Sequence, residues 1–296
     1  MAIDVALLKE LRERTGAGIV DCKKALEEAG NDIEKATTAL REKGLAKAAK
    51  KASRVSAEGV FKAIVNGNNV LVYEVNCETD FVASNEKFKN FVDEVGKVLV
   101  ASGAKCTDCA LKATNANGET VEQMILAFIA IIGEKITLRN VQVISKDDAE
   151  VFGVYSHNQG KILVVVTGNG DEEALRNVAM HVCAYDPQYL NRESVDPEYI
   201  KKETEIVLKE ALEENSKAAK PKPENIIQKM VDGRIAKELK AICLMDQAYA
   251  KDPGITVEQY LQSAKSTVKC YTRNVVGAGI EKKENNFAEE VYSQIK

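Results

Sequence analysis

Tryptophan is absent from this chain of 296 residues, aromatic side chains make up only 5% of it, and it contains two histidines. Its cores must therefore be built mostly from aliphatic side chains and alanine. No run approaches the ~20 apolar residues of a membrane span. The most apolar stretch, 124–133, is too short and reads as a buried helix. The first ten residues alternate charged and apolar positions at helical spacing, without the apolar core of a signal peptide. A phosphate-binding glycine loop followed by Lys-Ser or Lys-Thr is missing, and Gly277-Ala-Gly279 lacks dinucleotide-binding spacing. Neither His157 nor His181 neighbours a Ser or Cys in a nucleophile elbow, and no two carboxylates stand out as a buried pair. Lys and Arg number 41 against 45 Asp and Glu, so the basic excess that direct nucleic-acid binding favours is lacking. These absences point to a protein that binds rather than transforms, with no catalytic residue, cofactor, metal or membrane contact.

Seven cysteines stand at 22, 77, 106, 109, 183, 243 and 270. An odd, scattered set reads as reduced thiols in the cytoplasm. Cys106 and Cys109 are the one close pair. No second pair or histidine lies near them in sequence, so a four-ligand zinc site is disfavoured and the spacing reads as coincidence.

The patterning predicts an α+β chain. Residues 1–45 form a helical unit of three short helices, with breaks at Thr15-Gly-Ala-Gly18 and Gly30-Asn31-Asp32 and an end at Gly44. A Lys- and Ala-rich solvated linker covers 46–57. The period then becomes two. Val60–Val65, a turn at Asn66–Asn69 and Val70–Val75 predict a hairpin. A helix from Ser84 to Val100, a polar loop from Cys106 to Gly118, a helix from Val121 to Ile136 and a strand from Thr137 to Ile144 complete a first lobe, 58–146. A second lobe, 147–275, repeats the order: a hairpin at 151–166, a helix at 172–183 and a lone strand at Ala241–Met245. Between them an insert, 196–240, reads as an antiparallel helical hairpin. In it Ile200, Ile206, Val207, Leu208 and Leu212 face Ile226, Ile227, Met230, Ile235 and Leu239. A tail, 276–296, carries an amphipathic helix near 285–292.

The two lobes differ at one corner. After its second strand the first lobe has Glu78-Thr-Asp-Phe-Val82, where the second has only Gly168-Asn-Gly-Asp-Glu172. An acid and a large aromatic sit side by side on a short connection. Burying a Phe is worth about 1.5–3 kcal/mol, so Phe81 is either a staple under its own helix or an anchor for a partner's pocket. The second lobe shows that folding at this corner does not require the Asp-Phe pair.

The string Asn76-Cys-Glu-Thr-Asp-Phe-Val82 closely resembles the hallmark of bacterial elongation factor Ts, the exchange factor for the GTPase elongation factor Tu. Leu11–Gly18 with Asp21–Leu26 is similar to that family's opening, and Lys47–Lys51 to its linker. Ala179-Met-His-Val182 and Gly279-Ile-Glu-Lys282 follow in the family's order, so the resemblance covers essentially the whole chain. It implies a UBA-like N-terminal bundle and a partner, elongation factor Tu, bound both with GDP and nucleotide-free. It further implies that Thr79, Asp80, Phe81 and Val82 wedge beside the partner's magnesium and phosphate site. Arg12, Ile19, Val20 and His157 are implied as further contacts. A homodimer and a 2:2 complex both stay open. The chain departs from the pattern at Ser84-Asn85, Ala248 and Ala278. The alternative from another class is a helical adaptor or ubiquitin-type binding protein without effect on nucleotide.

Overall fold

The computed structural model describes residues 4–217 and 222–281, which fall into two compact units. The chain is mixed helix and sheet, with small antiparallel sheets.

The first unit takes in Met1–Ser145, Asn158–Ile162 and Asn274–Lys296. It opens with α1 (Val5–Thr15), α2 (Ile19–Glu28) and α3 (Ile33–Lys51). Asp4 and Asp32 accept backbone N–H groups at the starts of α1 and α3, and Gly16 closes α1 in the left-handed region at φ 63°. Leu11, Cys22, Ala25, Leu26 and Ala36 form the core of this bundle. Gly44 does not end the third helix, as its residue type suggests; α3 continues seven residues past it, to Lys51. The glycine serves close packing instead. A methyl group on Gly44 would lie 3.0 Å from Cβ of Ala130, on the neighbouring helix α7 described below. The stretch expected to be a solvated linker is accordingly half helix, with Ala48 buried in the first-lobe core.

Next come β1 (Glu58–Asn66), β2 (Asn69–Cys77), α4 (Asp80–Ser84), α5 (Glu86–Ser102), α6 (Thr107–Lys112), α7 (Val121–Ile132) and β3 (Thr137–Ser145). The sheet order is β1-β2-β3, with β2 in the centre and its residues from Val70 on buried. The hairpin pairs Asn66 with Asn69 across a two-residue turn. β3 carries an irregularity opposite Tyr73. There Asn140 takes φ 49° and donates its amide to the buried Glu74 carboxylate at 2.6 Å. Helices α5 and α7 cover the sheet with Phe88, Phe91, Val92, Val95, Leu99, Ile125 and Phe128, and Phe91 stacks on Phe128 at 4.2 Å. Two expectations fail here. The polar loop after α5 contains α6, whose Ala110 is buried, and α7 stops at Ile132 because Gly133 takes φ 84°.

The second unit takes in Lys146–His157 and Leu163–Arg273. It contains β4 (Val151–His157), all but the first residue of β5 (Ile162–Asn169), α8 (Glu172–Tyr185), α9 (Pro197–Ser216), α10 (Glu224–Ile242), β6 (Ala248–Tyr249), β7 (Asp252–Thr256), α11 (Val257–Ser263) and β8 (Thr267–Val275) up to Arg273. Its sheet is ordered β4-β5-β8, so hairpin, helices and a third strand recur as in the first lobe. The third strand is not Ala241–Met245. Helix α10 runs on to Ile242, and a 3₁₀ turn covers Leu244–Asp246. The amides of Leu244 and Met245 bond to the carbonyls of Tyr189 and Leu190, a loop contact rather than a sheet. Strand β8 fills the place instead.

Helices α9 and α10 pack through Ala211, Ile227 and Val231, with Val207, Leu208 and Ile235 around them. Ile206, Leu212 and Ile226 are exposed rather than interfacial. The linking residues 218–221 and the expected tail helix at 285–292 lie outside the described residues.

Candidate partner-binding site

The corner after β2 is built from the inside out. Cys77 is buried, donates to the Thr79 carbonyl at 3.1 Å, and burial pushes its thiol up to about 12, with Glu134 nearby adding to the effect. It is an inert part of the mount. Thr79 adopts extended geometry and caps α4, its hydroxyl accepting from the Val82 amide at 3.3 Å. The same hydroxyl donates to Glu134 Oε1 at 2.6 Å. Glu134 Oε2 accepts the backbone N–H groups of Glu78 and Thr79, both at 3.0 Å. One carboxylate thus fixes three donors at the base of α4.

A second layer of contacts braces the corner. Glu78 accepts the Lys135 amide at 2.6 Å and pairs with Arg54 at 3.1 Å. The Lys135 ammonium donates to the carbonyls of Ala52 and Arg54, and Lys51 to that of Gly133. Lys51 and Arg54 are therefore engaged within the chain rather than simply solvated. Ala83 is buried in the first-lobe core and Val82 packs partly against it. Asn85 ends α4 and caps α5 by accepting the Lys87 amide.

On this mount Asp80 and Phe81 point outward. Phe81 is 83% exposed, while the other described phenylalanines (Phe61, Phe88, Phe91, Phe128 and Phe152) are all buried. The tip is helical, not a connecting loop: α4 begins at Asp80 itself. The second lobe has no counterpart. After β5, Asp171 caps α8 directly, its side chain accepting the Ala174 amide. A staple would bury the ring. Leaving it in water forgoes about 1.5–3 kcal/mol, so Phe81 is not a staple under its own helix.

The structure brings Thr79 to Val82 together as one tip. Arg12, Ile19 and Val20 lie in the same unit, around the Gly16–Gly18 corner of the helical bundle. All three are exposed, Val20 by 74%. His157 belongs to the second unit, exposed at the end of β4, with Nδ1 3.2 Å from the Tyr155 hydroxyl. His181 is fully buried on α8. Its Nε2–H donates to Gln247 at 2.8 Å and its Nδ1 accepts the Ala250 amide at 3.1 Å. Sequence reasoning missed Glu134 and Lys135. Their only signal was two charged residues directly after a helix-ending glycine. Among the described residues, no cluster of His, Cys, Asp and Glu could hold a metal, and no helix is long and apolar enough to cross a membrane.

The site is thus an exposed phenylalanine beside an exposed acid, on a braced corner of an α+β scaffold. The family model for elongation factor TS matches residues 78–278. The match begins at Glu78, directly before the tip, and takes in the first lobe from there on together with the second lobe. The chain belongs to the elongation factor Ts family, the nucleotide-exchange factors of elongation factor Tu in translation elongation.

Proposed function

We propose that this chain releases GDP from elongation factor Tu by inserting the Asp80–Phe81 tip beside the partner's magnesium and phosphate site. The single observation that carries this reading is the exposed Phe81 ring on a mount held by Glu134. An exchange factor needs no reactive side chain. It must bind the empty or distorted GTPase better than the nucleotide-filled one, and linkage then makes factor and nucleotide weaken each other equally. A ring held at a fixed angle does this by filling a pocket open in one state only. Displacing the support of a magnesium ion that neutralises bound phosphates speeds nucleotide loss. Thr79 and Val82 hold the wedge: one caps its helix and the other seats it on the lobe.

In the same proposal, residues 1–45 act as a UBA-like bundle whose Arg12, Ile19 and Val20 touch the GTPase domain, and 46–57 act as a basic linker. The lobes are 58–146 and 147–275, with the helical hairpin at 196–240 and the tail at 276–296. His157 meets another domain of the partner. The setting is the cytoplasm, and neither cofactor nor nucleic acid takes part. The exposure of all four side chains supports their assignment. Release of a fluorescent GDP from purified elongation factor Tu tests the proposal. Catalytic amounts of the chain should accelerate release, and excess magnesium should oppose it. Release at the spontaneous rate at every concentration of the chain would overturn it.

A further inference from the structure

We propose that Cys106 and Cys109 form a reversible dithiol–disulfide site that reacts with hydroperoxides, a modification site separate from the exchange tip. Both thiols are exposed, whereas Cys22, Cys77, Cys183 and Cys243 are buried. Cys106 caps α6 from just outside it, its Sγ accepting the Cys109 backbone N–H at 3.2 Å. That bond aims the first sulfur at the turn carrying the second. The turn is fixed from below: the Thr107 hydroxyl accepts the Val141 amide of β3 at 3.3 Å, and Ala110 is fully buried. The spacing that looks accidental in sequence is thus one turn of helix presenting two thiols to solvent. Consistent with that geometry, hydrogen bonds from Cys109 hold the Cys106 thiol below its ordinary value, and the Cys109 thiol is raised by its bond to Cys106. Cys106 is thus the attacking sulfur of the pair and Cys109 the resolving one.

The chemistry balances in two steps. The Cys106 thiolate attacks one oxygen of the hydroperoxide, and the O–O bond breaks. Sulfur is oxidised to the sulfenic acid, and the other oxygen leaves as hydroxide or alkoxide, taking up a proton. The Cys109 sulfur then attacks the sulfenic sulfur, forming the S–S bond and breaking S–OH. The departing hydroxide and the proton given up by Cys109 leave as water. A dithiol reductant reverses the result by exchange.

Trypsin digestion of the full chain reads this directly, because Lys105 and Lys112 bracket both cysteines in one peptide, 106–112. After mild hydrogen peroxide, that peptide should be two hydrogens lighter and closed to alkylation, and dithiothreitol should restore it. The exposed Cys270, on a strand that carries no other cysteine, serves as the internal control. In the reduced chain Cys106 should alkylate about tenfold faster than Cys270 at neutral pH. The Cys109→Ser variant should stop at a Cys106 sulfenic acid that dimedone traps, with an unchanged melting curve. Equal alkylation rates at Cys106 and Cys270, or a peptide 106–112 that keeps both thiols while Cys270 oxidises, would overturn the proposal.

Discussion

Removing the Glu134 carboxylate should loosen the tip without touching any tip residue. Glu134 accepts from the Glu78 amide, the Thr79 amide and the Thr79 hydroxyl. Hydrogen bonds to a charged acceptor contribute roughly 1.5–3 kcal/mol each when buried and neutral ones about 1, and this carboxylate is only partly buried, so about 3 kcal/mol in all is reasonable for Glu134→Ala. At about 2–4 °C per kcal/mol, that lowers the melting temperature by roughly 6–12 °C. Glu134→Gln keeps one acceptor oxygen and should lose about half as much. The exchange reaction should suffer as well. If half the lost ordering free energy must be supplied again on docking, GDP release slows about tenfold, since 1.4 kcal/mol is a factor of ten. Amide hydrogen exchange at Glu78 and Thr79, a thermal melt and nucleotide release form the assay. Unchanged amide protection and unchanged melting in Glu134→Ala would refute the clamp.

Three further outcomes follow from the packing. Burial holds His181 below its ordinary value near 6.5, and its Nδ1 must stay unprotonated to accept the Ala250 amide. Its contribution to stability is therefore complete above about pH 6.5 and lost as pH falls through the lower folded value, by at most about 1.4 kcal/mol per pH unit. Urea unfolding between pH 8 and 5 should show this slope, and His181→Gln should flatten it. Gly96→Ala should cost about 1–3 kcal/mol, because the added carbon would press on the Tyr73 hydroxyl, which itself donates to the Val92 carbonyl at 3.0 Å. Adding Tyr73→Phe should relieve part of that cost in a double-mutant cycle. Glu74→Leu should destabilise the first unit by about 3 kcal/mol or more on denaturant titration, because it strands three donors at a buried site: Asn76, Asn140 and the Gly277 amide.

The sheets and the main helices were legible because their signals are local. Alternation marked β1 and β2, and Asp32 marked the start of α3. The misreadings share a different cause. Gly44 looks like a stop, but it is the space that lets α3 lie against Ala130, a partner 86 positions away that no local pattern reveals. Ala241–Met245 looks like a strand because it is a short apolar run. Its first two residues instead complete the helix begun at Glu224. Strand β8 went unread although Thr267-Val-Lys-Cys-Tyr-Thr-Arg alternates, since its charged positions weakened the apolar signal. At the site, the contrast between the two lobes singled out Phe81, but helix α4 did not show in the sequence. Glu134 reaches the tip from 55 residues away, and only the fold brings a carboxylate there.

Phe81→Ala separates a docking ring from a packing one most sharply, measured as melting temperature and as GDP release from elongation factor Tu on the same preparation. The variant should melt within about 2 °C of the parent, because an exposed side chain contributes little to stability, and should lose most of its exchange activity. A loss of about 3–5 kcal/mol in stability, as for a core phenylalanine, or exchange at the parent rate, would contradict the docking role.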